Sequence, residues 1–165
     1  MVNQFQKYSF VFVALSLALF FRLFVISVYK IPTESMAPTF LPGDFIIASQ
    51  VSYGLKLPWS ESVWFKATPQ KGDLVVFTFK TKPAISYIKR VAGVEGDEVD
   101  TLQGKQKVET GQIYVLSDNP ADVDDSRRLG FVPIDRIESQ AKLIWFSLST
   151  QNEIRWNRIL TQLKR

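Results

Sequence analysis

"AISYIKRVAGV", residues 84–94, alternates with a period of two. Tyr87, Lys89 and Val91 fall on one side of an extended chain and Ile88 and Arg90 on the other, which is the pattern of a β-strand. "EGDEV" (95–99) ends the strand with a turn. Working outward, "KGDLVVFTF" (71–79) is a turn and a strand, and "LPGD" (41–44) is a turn that opens "FIIASQV". "QIYVLSDN" (112–119) and "AKLIWFSL" (141–148) add two more strands. The stretch "SYGLKLPWSESVWFKATPQ" (52–70), with two prolines and two tryptophans, reads as a loop at the surface or at a membrane interface. A helical period emerges only in the tail, "EIRWNRILTQLKR". The domain is therefore mainly β.

The chain has 165 residues, 46% apolar and 22% charged, enough for one domain with an appendage. It has no cysteine and no histidine, which excludes a thiolate nucleophile, a Ser-His-Asp triad and imidazole-based zinc sites. No metal or cofactor is implied. Proton transfer near neutrality then falls to a shifted carboxylate or lysine. The net charge of +4 suits a chain close to anionic lipid, and no dense basic block interleaved with aromatics points to nucleic acid.

Residues 8–29, "YSFVFVALSLALFFRLFVISVY", carry one charge, Arg22. About 20 helical residues span the roughly 30 Å of hydrocarbon, so this run is expected to be a transmembrane anchor between a short N-terminus (1–7) and a β domain (30–165). Arg22 costs about 2.5–3.5 kcal/mol at a helix centre, and less nearer the interface. A cleaved secretory signal is the rival reading, but "RLFVISVYK" supplies no small-x-small cleavage site. Residues 31–55 contain no Lys or Arg, which favours placing the β domain outside.

Directly after this run comes "KIPTESMAPTF" (30–40), with Ser35 and Met36 between Pro32 and Pro38. A serine nucleophile without histidine needs a neutral lysine, whose pKa must fall from about 10.4 by burial. Lys89, between an aromatic and a β-branched neighbour on one strand face, is the candidate. The alternative is an edge-strand lysine with its head in water. Local S-x-x-K matches (Ser27/Lys30, Ser86/Lys89, Ser139/Lys142) are set aside, because residues three apart on a strand face opposite ways.

At these residues the chain resembles the bacterial type I signal peptidases. "IPTESMAPTF" resembles their serine box, "GDLVVF" (72–77) the next block and "YIKRVAGVEGD" (87–97) the lysine block. "SDNPADVDDSRRLGFVP" (117–133) resembles the late block, and "RWNRI" (155–159) a common ending. The blocks occur in order from about residue 20 to 160. The resemblance implies an antiparallel β domain of the signal-peptidase type, anchored by one transmembrane helix in the bacterial cytoplasmic membrane, with the domain on the periplasmic or extracellular side. It implies signal-peptide-bearing precursors as substrates and a serine endopeptidase mechanism. Ser35 would be the nucleophile and Lys89 the general base. The Ser35 N–H and the Thr33 hydroxyl would form the oxyanion hole, Met36 and Tyr87 the wall around the lysine and substrate, and Asp125 and Arg127 a supporting ion pair.

Two departures accompany it. Residues 98–116 leave room only for a minimal second subdomain. Val123 stands where the family carries a serine that helps hold the lysine, with Ser126 or a bound water expected to supply the missing contact. A dedicated pilin- or conjugation-type processing peptidase and a catalytically impaired, membrane-tethered β domain are the alternative readings.

Overall fold

The computed structural model describes residues 8–17, 19, 25–56, 63–64, 67–79 and 85–164. Residues 8–17 are helical with exposed side chains. Among the described residues no helix is long and apolar enough to cross a membrane. Part of the expected anchor, residues 18 and 20–24, and part of the expected 52–70 loop lie outside the described residues.

The strands run β1 (Ile26–Lys30), β2 (Asp44–Ser49), β3 (Leu55–Lys56), β4 (Val63–Trp64), β5 (Leu74–Phe79) and β6 (Ile85–Gly93). Then follow β7 (Glu98–Thr101), β8 (Gly104–Lys107), β9 (Gln112–Leu116), β10 (Val132–Pro133), β11 (Ile137–Ser147) and β12 (Thr161–Gln162). An eight-stranded sheet carries the order β1-β2-β11-β5-β6-β9-β10, with β12 beside β11, and all its pairings are antiparallel. The expected strands are all present, so the mainly β, antiparallel reading holds. The hairpins β3–β4 and β7–β8 form two small separate sheets.

Three sequence expectations are corrected. Within 52–70, read as a loop, Leu55–Lys56 pairs with Val63–Trp64 as the β3–β4 hairpin. Residues 26–29, read with the apolar run, belong to β1, which pairs with β2 in the register Ile26↔Ser49 to Lys30↔Phe45. The reason lies in "ISVY": its alternation buries Ser27 and exposes Val28, and the Ser27 hydroxyl accepts from Gln50 Nε2. The tail is not an α-helix either. It forms a 3-10 turn at Trp156–Arg158 and then β12. Arg155 and Arg158 hold it extended across the sheet, donating to Pro42 O, Leu148 O, Thr39 O and the Asp44 carboxylate, while Leu163 packs on the core.

Alternation along each strand gives the sheet a core on both faces. Leu74 joins Ile31, Met36, Phe40, Ile46, Ala141 and Ile144. Its neighbour Val75 joins Phe77, Val91, Ile113, Val115, Val132 and Ile137 on the other face. Burying each such side chain is worth about 1.5–3 kcal/mol.

Three turns share one sequence, x-x-Gly-Asp, and one geometry. At Leu41–Asp44, Gln70–Asp73 and Val94–Asp97 the aspartate N–H donates to the first residue's carbonyl at 3.0 Å. The aspartate carboxylate accepts the first residue's N–H in return. Gly43, Gly72 and Gly96 have φ of +89°, +87° and +90°, a region open to glycine at little cost. Two of these turns set the entries to β2 and β5, and the third closes β6.

Candidate active site

β6 is an interior strand between β5 and β9, so Lys89 is not at an edge. It is 2% exposed. Tyr87 and Val91 pack into the Val75 face and Ile88 into the Leu74 face, as the alternation required. Across β5 the partner of Lys89 is Val75. Across β9 the register runs Val91↔Val115 and Arg90↔Leu116, which brings Ser117, the next residue, opposite Lys89. The Lys89 amine donates to Ser117 Oγ at 2.8 Å and lies 3.7 Å from Asp122 Oδ1. Burial lowers the Lys89 pKa, and this outweighs the attraction of Asp122, Asp125 and Asp124, which raises it.

Ser35 sits in a turn between β1 and β2, with Ala37 N–H bonded to Glu34 O at 3.0 Å. Pro32 and Pro38 restrict the chain on either side. Met36 is fully buried in the Leu74-face cluster, with Ile88 packed beside it. Its buried side chain anchors the serine turn in that cluster. Tyr87 lies on the lysine's own strand face and stacks on Phe77, centroids 5.9 Å apart. Thr33 Oγ1 is 3.3 Å from Ser35 Oγ. Among the described residues, the Ser35 N–H has no acceptor within the protein.

The two halves of the site meet through the segment after β9. Asn119 N–H donates to Ser35 O, and Asn119 Nδ2 to Glu34 O, each at 3.1 Å. Arg90 reaches Asp118 with two bonds of 2.7 and 2.8 Å, and also Gly72 O and Thr39 Oγ1. Thr39 in turn donates to Asp118. Ser35 and Lys89 are thus each docked on residues 117–119. Among the described residues no hydrogen bond joins them directly in this structure.

Asp125 holds this segment. It is fully buried, caps the short helix Ser126–Leu129 and accepts from Ser117 N–H at 2.9 Å. Its expected ion pair with Arg127 is present at 2.7 Å. Burial pushes the Asp125 carboxyl up, but the Arg127 guanidinium and the backbone N–H groups hold it below the usual value. Ser126 does not reach the lysine as expected; its Oγ accepts from Val115 N–H and satisfies the β9 edge. Val123 is 52% exposed and adds no apolar bulk beside the amine. The valine side chain points into solvent, while Asp122, one residue earlier, turns inward.

The site thus sits on an antiparallel β domain whose interior strand carries a buried lysine, linked through residues 117–119 to a serine-bearing turn. The chain belongs to the family described as "Signal peptidase, peptidase S26", whose model matches residues 4–105 and 98–146. It is 38% identical over 199 residues to the "Signal peptidase I" of Pseudomonas fluorescens, covering 82% of this chain and 70% of that protein. It is 43% identical over 96 residues to the "Signal peptidase I" of Buchnera aphidicola subsp. Baizongia pistaciae, covering 58% of this chain and 31% of that one. With the Pseudomonas aeruginosa "Signal peptidase I" the match is 37% over 103 residues, 62% and 36%. The chain thus spans only about a third of the length of the last two.

Proposed function

We propose that this chain is a membrane-tethered serine endopeptidase that removes signal peptides from exported precursor proteins, with Ser35 as nucleophile and Lys89 as general base. The observation that carries the reading is the buried Lys89 with its lowered pKa, docked on Ser117 in the same short segment whose Asn119 holds the serine turn. A neutral amine there takes the Ser35 proton as Oγ attacks the scissile carbonyl. The developing oxyanion is met by the Ser35 N–H and the Thr33 hydroxyl, a contribution typically worth about 10²–10³ in rate per donor. The ammonium then gives its proton to the leaving amine, and the same amine activates the water that releases the acyl-enzyme.

The apolar run before β1, helical at residues 8–17, is the membrane anchor in this reading, with residues 1–7 on the cytoplasmic side and the β domain on the outer face. The close spacing between that run and Ser35 keeps the site near the lipid surface, where an embedded signal peptide presents its cleavage point. The impaired-domain alternative leaned on Val123, and a lysine that already has Ser117 as partner removes that support.

The test is incubation of the detergent-solubilised chain with a precursor bearing an Ala-x-Ala site. Ser35→Ala and Lys89→Ala should each abolish cleavage while the domain stays folded, and the double variant should be no worse than either. Near-normal turnover in Lys89→Ala would overturn the assignment of the base. Protease digestion of spheroplasts should degrade residues 31–165; their protection would refute the outward topology.

A further inference from the structure

We propose that Ser117 and Asp122 form a one-directional hydrogen-bond relay that holds the Lys89 amine by an N–H and leaves its lone pair free for Ser35. The inference rests on the Ser35/Lys89 reading above and adds two positioning residues to it.

Proton counting gives the direction. Ser117 Oγ lies 2.8 Å from Lys89 Nζ and 3.3 Å from Asp122 Oδ1. A carboxylate only accepts, so the single hydroxyl proton of Ser117 points to Asp122. Ser117 then has lone pairs and no proton for the amine, and Lys89 must be the donor. A neutral amine that donates to Ser117 keeps its one lone pair off that bond. A hydroxyl able to donate to the amine would instead occupy the lone pair and block the base.

The carboxylate is fixed in this role. Asp122 Oδ1 also accepts from Asp124 N–H at 2.8 Å, and Arg127 Nη2 grips Asp122 O at 2.6 Å. Ser117 is fixed from its backbone by Asp125, so its hydroxyl can be removed without freeing the chain. Facing Lys89 from β5 is apolar Val75. From the segment after β9 come Asp122, Asp124 and Asp125, with Arg127 beside them, and Asp118 is bound to Arg90. The serine turn carries Thr33, Glu34 and Ser35, and Asn119 holds it by Glu34 O and Ser35 O.

The experiment uses the full chain in detergent micelles, the Ala-x-Ala precursor, and Ser35→Ala as a blank. Ser117→Ala should lower kcat about three- to tenfold, the scale of one lost hydrogen bond, with KM unchanged. Ser117→Thr, which restores the hydroxyl, should recover most of the rate. Asp122→Ala separates direction from charge. Losing the negative charge should move the acid limb of the kcat profile to lower pH, while the free hydroxyl lowers the plateau. A plateau that stays level or rises in Asp122→Ala, or a kcat within twofold of wild type in Ser117→Ala, would overturn the relay while leaving the Ser35/Lys89 reading intact.

A second readout needs no turnover. In chain carrying ¹³C-lysine, the Lys89 signal is assigned by its loss in Lys89→Met and titrated. Ser117→Ala should lower the Lys89 pKa, because the lost acceptor binds ammonium more strongly than amine. An unchanged pKa refutes the relay whether or not the precursor is cut, and a wild-type chain inert on the precursor refutes only the peptidase reading.

Discussion

Gly43 and Gly96 occupy the same position of the same kind of turn, yet alanine should affect them very differently. Their φ values are +89° and +90°, so a Cβ at either place carries the same backbone penalty, about 1–2 kcal/mol. At Gly96 a Cβ would meet nothing within 4 Å. At Gly43 it would lie 1.9 Å from Leu148 O and 3.2 Å from Arg155 Nη2. Carbon and oxygen tolerate about 3.3 Å, so the carbonyl must retreat by about 1.4 Å. That movement breaks the Leu148 N–H bond to Gly43 O (3.0 Å) and the Arg155 bond to Leu148 O (2.8 Å). Neutral bonds are worth about 0.5–1.5 kcal/mol and bonds to a charged group about 1.5–3. Gly43→Ala should therefore cost about 3–6 kcal/mol, against about 1–2 for Gly96→Ala. Urea titration followed by tryptophan fluorescence measures both from the shift in midpoint. Costs within 1 kcal/mol of each other would refute the reasoning, because φ alone would then decide.

Asp44 is fully buried between Arg158, Ser147 Oγ and Leu41 N–H, so Asp44→Ala should destabilise by about 3–5 kcal/mol in the same titration. Burial raises the Asp44 pKa, but Arg158 and the other donors bring it below the usual value; its stabilisation is therefore full above about pH 4 and is lost as pH falls through the lowered folded value, a slope that Asp44→Ala should lack. Lys89 behaves in the opposite sense. Its lowered folded pKa means the unfolded chain binds the proton more tightly, so stability should rise with pH from that value up to about 10.4, and Lys89→Met should flatten this rise. Val123→Ser, on an exposed side chain, should change stability by less than about 0.5 kcal/mol and leave precursor cleavage within about twofold.

Much of the sheet was legible because its strands alternate apolar residues between two cores, as at Leu74–Val75 and Tyr87–Val91. Lys89 was legible for the same reason: a cation on the apolar side of a strand needs an explanation. Ser117 was not, because its role depends on the register between β6 and β9, and no local pattern fixes that across residues 94–111. A signal existed in hindsight, since once Val91 faces Val115 the lysine must face position 117. Val123 misled because matching by block assigns a position and says nothing of which way a loop side chain turns. The tail misled because Trp156, Ile159, Leu160 and Leu163 keep a helical spacing, while two arginine contacts to buried Asp44 and to carbonyls outweigh about a turn of helix propensity.

The β7–β8 hairpin pairs with no other strand, and its tip residue Leu102 is 80% exposed. Its contacts with the main sheet stop short of the tip: Val99 and Val108 crowd Gly93, and the Tyr114 hydroxyl donates to Asp100 O at 3.0 Å. The register of β6 and β9 is therefore set without the tip, and the tip is a natural splice point. Lengthening it costs only loop-closure entropy, about 0.6 kcal/mol for each doubling of length, so a whole module could be threaded there. A fluorescent or affinity module inserted between Leu102 and Gln103 would therefore report on this protein while leaving the pairing of β6 with β9 intact.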